Sequence, residues 1–260
     1  MSLIHKTAIV SEDANLADNV SVGPYSIIGP EVAIGEDSVI ESHVVIKGKT
    51  TIGSENHIYS FASIGDDPQD KKYNNEDTSV EIGNRNTIRE YTTINKGTIQ
   101  DVGTTRLGDD NWIMAYVHIA HDCQVGSNTI FANNTTLAGH VIVGDYVIFG
   151  GFSGAHQFCK IGAHSFLGMY SGVARDLPPY VIVMGQPAEP RGINLEGLKR
   201  RDFNSDQIRN IKTAYKYLYM SELRLEEAIS KIQTIEDIAG EMTTLFEFLQ
   251  DSTRGIVRKN

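Results

Sequence analysis

The stretch IGPEVAIGEDSVIESHVVIKGKTTI, residues 28–52, decides how this chain folds. Every sixth residue in it is isoleucine: Ile28, Ile34, Ile40, Ile46 and Ile52. The spacing continues outward to Ile4, Val10, Leu16 and Val22 on one side and to Ile58 and Ile64 on the other. Two positions ahead of each stands a smaller or β-branched residue, such as Val20, Ser26, Val32, Ser38, Val44, Thr50 or Ala62, with Asn56 as the exception. Glycine often follows the aliphatic residue, as in Val22-Gly23 and Ile34-Gly35. A period of six is neither the 3.6 of a helix nor the alternation of an ordinary strand. It is the period of hexapeptide turns in a parallel β-helix. Three hexads close one triangular coil, so residues 18 apart stack, with coils about 4.8 Å apart. The aliphatic residue points inward, and glycine is expected to supply the corner backbone.

Two segments interrupt the period. Residues 66–79, DDPQDKKYNNEDTS, are polar and place acids in the aliphatic register, so they read as a loop thrown out of the coil. Ile82, Ile88 and Ile94 resume it. A second break spans about 97–106, after which Leu107, Ile113, Ile119, Val125, Phe131, Leu137 and their successors run to Val173, displaced by one residue of phase. Two prolines after Asp176-Leu177 end the regular coil. Beyond them the pattern turns helical. Ser205 is the expected N-cap for a helix carrying Ile208, Ile211, Tyr215 and Leu218. Thr234 is the expected cap of a later helix carrying Ile238, Met242, Leu245, Phe246 and Leu249. The reading is a coil over 1–189 and a helical domain over 190–260.

Composition narrows the function. With 40% apolar residues the chain can build a core, and no run approaches the roughly 20 apolar residues of a membrane span. The start, MSLIHKTAIV, has no basic region followed by an apolar block, so a cytoplasmic location is expected. A formal charge of -10 argues against nucleic acid as a partner. Against that background, residues 190–220 carry seven Lys or Arg (Arg191, Lys199, Arg200, Arg201, Arg209, Lys212, Lys216) and three acids (Glu196, Asp202, Asp206). The excess is either a solvated helix face or a dock for phosphates or an acidic protein.

Five of the eight histidines fall between 118 and 164. Stacking by 18 sets His121 beside Gly139, with Gln157 two coils away, and Asp122 beside His140. Acyl transfer to a hydroxyl needs a base, an oxyanion donor and an acid for the leaving thiol. One histidine can serve as base and then as acid, and a glycine backbone N–H can approach an oxyanion closely. A solvated corner residue is the competing reading for any one histidine, but a cluster within two or three coils favours a site. Zinc would need three converging imidazoles, as the His-x4-His pair and a third histidine provide in hexapeptide-repeat carbonic anhydrases. The His118-x2-His121 spacing here departs from that, and no metal is expected. Cys123 and Cys159 occupy the small inward position and read as packing residues, not nucleophiles.

The segments SHVVIKG, FASIG, QDKKY, IRE, HIAHDC, LAGHV, HQFCKIGAHS, PPYV, NLEGLKRR and STRGIVR resemble the UDP-N-acetylglucosamine 3-O-acyltransferases, which open lipid A synthesis, nearly end to end. The resemblance implies a mainly β, left-handed parallel β-helix with a C-terminal α-helical domain, assembled as a homotrimer with sites between neighbouring coils. It implies transfer of a 3-hydroxyacyl chain from the phosphopantetheine of acyl carrier protein to the glucosamine 3-hydroxyl, with no other cofactor. His121 would be the general base, Asp122 its orienting partner and the Gly139 N–H the oxyanion donor. Asp70 and Lys72 match residues around the sugar, and His118, His140, His156 and Gln157 match residues lining the cleft. Asn194, Glu196, Arg200 and Arg201 match residues reaching the nucleotide and diphosphate. Met169 matches a position that limits acyl length, which implies medium chains, nearer ten carbons than fourteen. Two departures stand out: Asn95-Lys96-Gly97-Thr98 replaces a common His-Arg-Gly-Thr, and Lys71 replaces an aliphatic residue. The alternative is another hexapeptide-repeat acyltransferase, adding an N-acyl or acetyl group to a nucleotide sugar, and a non-catalytic trimeric scaffold is a third reading.

Overall fold

The structure is a computed structural model that describes residues 3–258. Its coil is walled by three sheets of eleven, nine and eight short strands among the described residues, parallel except for the last pairing of the eleven-stranded sheet. Successive hexads pass from one sheet to the next, so a strand pairs with the one a full coil later: Ile4 with Val22, Ile28 with Ile46, Phe131 with Phe149. The aliphatic register is the core. Ile40, Ile46, Ile58, Ile64, Ile88 and Ile113 are all at most 1% exposed. Full burial of each such side chain contributes about 1.5–3 kcal/mol.

The two interruptions change the pairing distance without breaking the ladder. Ile58 pairs with Ile88, 30 residues on, and Ile88 with Ile113, 25 on, where an uninterrupted coil takes 18. The first excursion leaves the strand Ser63–Asp66 and rejoins at Ser79–Ile82. The second leaves Thr93–Asn95 and rejoins at Thr104–Leu107, so residues 104–106, expected in the loop, are strand.

The corners correct the expectation about glycine. The left-handed residue is the second after the glycine: Tyr25 after Gly23, Asp37 after Gly35 and Glu55 after Gly53, with φ between 57° and 61°. Such φ values are unusual for aromatic residues. Here the corner N–H is used in the coil-to-coil ladder, as from Phe152 to the Asn133 carbonyl at 2.9 Å. The rings also stack on their neighbours: Phe61, Tyr91 and Tyr116 form a column with centroids 5.1 and 4.8 Å apart, each pair 5° from parallel. The glycines answer a different need, close approach between coils. A Cβ on Gly35 would stand 2.6 Å from the Gly53 carbonyl carbon.

After Val181–Met184 the chain turns back through Glu189–Ile193, the one antiparallel pairing among the described residues. Four helices follow: α1 (Leu195–Arg200), α2 (Ser205–Tyr219), α3 (Leu225–Ile232) and α4 (Glu241–Asp251). Their shared core includes Leu198, Ile211, Leu218, Ile232, Met242 and Leu245. Both expected caps are displaced. Asn204, not Ser205, caps α2: its side chain accepts from the N–H groups of Asp206 and Gln207, and Gln207 returns the bond in a capping box. At α4 the orphan N–H groups of Met242 and Thr243 go to the Asp237 carboxylate, not to Thr234, whose hydroxyl donates to the Lys231 carbonyl instead. The helices are tied back to the coil where Val257 N–H meets the Asp176 carbonyl and Tyr180 donates to the Glu241 carbonyl.

Candidate active site

Consecutive hexads set 122, 140 and 158 on one corner of the coil and 128, 146 and 164 on the next. His121 precedes the first of these corner residues. Its Nδ1 lies 3.0 Å from Oδ2 of Asp122, and both side chains are almost fully buried. The carboxylate fixes the imidazole with hydrogen on Nδ1 and leaves Nε2 as the lone-pair nitrogen. Asp122 is held in turn by the Thr98 N–H, the Thr98 hydroxyl and the Gly103 N–H. Burial opposes its ionisation, but the bonds from His121 and Thr98 outweigh that and keep the carboxyl below its ordinary range.

Gly139 lies directly across the coil from His121. It is buried, and its N–H has no acceptor among the described residues. His140 stands edge-on to His121, with centroids 4.8 Å apart. A cavity of about 480 Å³ brings His121 and His140 together with Gln157 and, from the first excursion, Asp70, Lys71 and Lys72. Asp70 shapes that loop by accepting the Lys72 N–H at 3.0 Å.

The other cleft candidates lie apart from this cavity. The His118 imidazole bonds Thr93 Oγ1 at 2.7 Å on a sheet face, and burial, with a further electrostatic contribution from the His121 ring, depresses its pKa. His156 is exposed and lines a trough of about 580 Å³ floored by Gly154 and Gly172. Asn194, Glu196, Arg200 and Arg201 gather in a third cavity, of about 300 Å³, on the 146/164 corner. Asn194 also caps α1 and donates to the His164 carbonyl. His164 and Tyr146 line that cavity and were not singled out from sequence. Burial and the Arg201 charge push His164 down to about 4, and the Arg201 guanidinium stacks over Tyr146 at 4.7 Å. The signal for both was their place in the corner register beside the cationic tail.

The first of the two departures from the family pattern, at Asn95-Lys96, holds the first excursion in place. Asn95 donates to the Asp67 carbonyl at 2.8 Å, and Lys96 bonds Tyr73 Oη and Asp67. Burial acts against the Lys96 charge, but those two partners raise its pKa. Cys123 and Cys159 are buried in the core, and desolvation pushes their thiols up to about 12 and about 11. His121, Asp122 and His140 have ligand atoms within 4.8 Å of one another. Both Asp122 oxygens are already engaged by hydrogen bonds from Thr98, Gly103 and His121.

Residues 13–48 and 104–139 match the bacterial transferase hexapeptide model, and residues 176–257 match the second-domain model of the UDP-N-acetylglucosamine O-acyltransferases. A Janthinobacterium protein named acyl-[acyl-carrier-protein]–UDP-N-acetylglucosamine O-acyltransferase is 58% identical, covering 99% of this chain and 100% of its own. One of the same name from Herminiimonas arsenicoxydans is 56% identical over the same shares. The solved UDP-N-acetylglucosamine acyltransferase of Francisella novicida superposes with a TM-score of 0.96 at 42% identity, covering 99% of this chain and 94% of that one. The chain belongs to the acyl-[acyl-carrier-protein]–UDP-N-acetylglucosamine O-acyltransferase family.

Proposed function

We propose that the chain transfers a 3-hydroxyacyl group from the phosphopantetheine thiol of acyl carrier protein to the 3-hydroxyl of UDP-N-acetylglucosamine, as the first step of lipid A synthesis in the cytoplasm. The carrying observation is the buried Asp122–His121 pair set against the unpaired N–H of Gly139. His121 Nε2 takes the proton of the sugar hydroxyl as its oxygen attacks the thioester carbonyl. The tetrahedral oxyanion is stabilised by the Gly139 N–H. When the intermediate collapses, the carbon–sulfur bond breaks and the proton on Nε2 passes to the departing thiolate. Asp122 keeps the ring in the tautomer this requires and stabilises the imidazolium between the two steps.

The binding groups stand on two corners of the coil. Asp70, Lys72, His140 and Gln157 share the His121 cavity, and Asn194, Glu196, Arg200 and Arg201 line the other. A homotrimer in which one chain's 122/140/158 corner faces its neighbour's 146/164 corner joins them into one site. The sugar then lies at His121 and the diphosphate at the arginines. His118 and His156 support the sheet faces leading to the cleft.

The test is to incubate the protein with UDP-N-acetylglucosamine and 3-hydroxyacyl carrier proteins of several lengths. O-acylated nucleotide sugar is the expected product. Activity only with acetyl-CoA or only with an amino sugar acceptor would favour another acyltransferase, and none with any pair would leave a scaffold.

A further inference from the structure

The loop over residues 96–103 reaches back across the cavity. Asp122 gathers both of its ends, taking the N–H groups of Thr98 and Gly103 on one buried carboxylate. That closure sets the loop tip over the next coil, where Asp101 Oδ2 lies 2.7 Å from Nδ1 of His140. The His140 ring is held on two further sides. It stacks on Phe158 at 4.3 Å and 4°, and it meets His121 edge-on. The second carboxylate near its Nδ1, Asp122, is farther away, at 3.7 Å. Nε2 of His140 has no hydrogen-bond partner among the described residues, and the ring borders the same cavity as His121 and Gln157.

From this geometry we infer that Asp101 is a positioning residue, which holds the hydrogen of His140 on Nδ1 so that Nε2 is the nitrogen offered to the bound sugar nucleotide. The site thus contains two carboxylate–imidazole pairs linked through one loop: Asp122, on the coil corner, orients His121 and pins the loop, and the loop tip orients His140. Because Asp122 organises both, damage to the loop reaches the reacting centre by two routes. The inference rests on the proposed acyl transfer for its kinetic consequence, but not for its structural one.

The experiment uses the full-length protein and compares Asp101→Asn, which keeps a neutral acceptor, with Asp101→Ala, which removes it. Selective ¹⁵N-histidine labelling reports the tautomer of His140, assigned by its loss in His140→Gln. Wild type and Asp101→Asn are expected to hold the hydrogen on Nδ1, and Asp101→Ala to lose that preference. In the transfer assay Asp101→Ala should lower kcat/KM roughly tenfold, the lower end of what hydrogen-bond partners of metal-ligating histidines contribute. Asp101→Asn should recover most of it. Added to His140→Ala, the Asp101→Ala change should cost little more, since the two act as one unit. An unchanged tautomer in Asp101→Ala, or full additivity with His140→Ala, overturns the inference. The spectroscopic result needs no turnover, so it still decides the point if the wild type fails to transfer an acyl group.

Discussion

A Cβ placed on Gly139 would stand 2.5 Å from Cε1 of His121 and 2.6 Å from its Nε2. Cβ atoms essentially never approach a non-bonded atom that closely, so even alanine at 139 must displace the imidazole. The ring has little room to yield, because Asp122 holds its Nδ1 at 3.0 Å and the side chain is buried. Gly139→Ala should therefore lower kcat by about 100-fold or more, comparable to losing an oxyanion donor. His121→Ala should remove most transfer outright. His121→Ala should melt within a few degrees of wild type, whereas Gly139→Ala should also lose about 1–3 kcal/mol to overpacking. Near-normal turnover by a folded His121→Ala protein would remove the base from the mechanism.

Asp122 has a structural duty that His121 lacks. Its carboxylate collects N–H groups from Thr98 and Gly103, the Thr98 hydroxyl and the His121 ring. An amide cannot accept all of these, so Asp122→Asn should cost about 1–3 kcal/mol through buried donors left unpaired. The folded-state pKa lies below the ordinary value, so the stabilisation is present above about pH 4. It is lost as pH falls through the folded-state value. Urea unfolding of both proteins should show a gap that is full at pH 7 and closes as the medium becomes more acid than that value. A gap of the same size throughout the acid range would mean that ionised Asp122 is not its source.

These residues also show how far the sequence could be read. Hexad arithmetic is a property of the backbone ladder, so the pairing of His121 with Gly139 and of Asp122 with His140 followed from counting by 18. Counting does not survive an excursion. The contact between Asp101 and His140 spans 39 residues and depends on how a loop closes, which no period encodes. The cap of α2 was displaced for a local reason: Asn204 and Ser205 are adjacent good caps, and only the reciprocal bond, donated by the Asn204 N–H to Gln207 Oε1, decides between them. His164 was passed over because its role comes from the tail folding back onto the coil, a long-range packing event.

Salt should separate docking from catalysis. Lys212 and Lys216 lie one turn apart on α2, exposed and without an ion pair among the described residues. By contrast, Lys199, Arg209 and Arg191 face Glu196, Asp206 and Glu189 at 2.6–3.4 Å. If acidic acyl carrier protein approaches this surface, raising ionic strength should raise its KM, with screening over a Debye length of roughly 8–10 Å. Reversing Lys199, Lys212 and Lys216 together should do the same at low salt. A carrier-protein KM indifferent to both treatments would take the tail out of the docking surface.

The last prediction concerns acyl length. Asn133, Gly151 and Met169 form one column along the coil: a Cβ on Gly151 would lie 3.5 Å from the Asn133 carbonyl oxygen and 3.7 Å from Met169 Cε. The Met169 side chain thus folds back over the glycine of the preceding coil while remaining 63% exposed. A flexible methionine there packs its thioether end over Gly151. This column stands on a different corner from His121, so an acyl chain from His121 reaches it by crossing the face of the nine-stranded sheet, over the trough at Gly154 and Gly172, and would stop where the thioether closes that path. Each buried methylene contributes about 0.8 kcal/mol, so two carbons that fit are favoured roughly tenfold. Wild type should therefore prefer carrier proteins bearing chains nearer ten carbons than fourteen, and Met169→Gly should move the optimum toward the longer chain. The measurement is a chain-length profile of kcat/KM for both proteins. An optimum at the same length in each would mean that Met169 only fills a gap between neighbouring coils and that another residue ends the acyl channel.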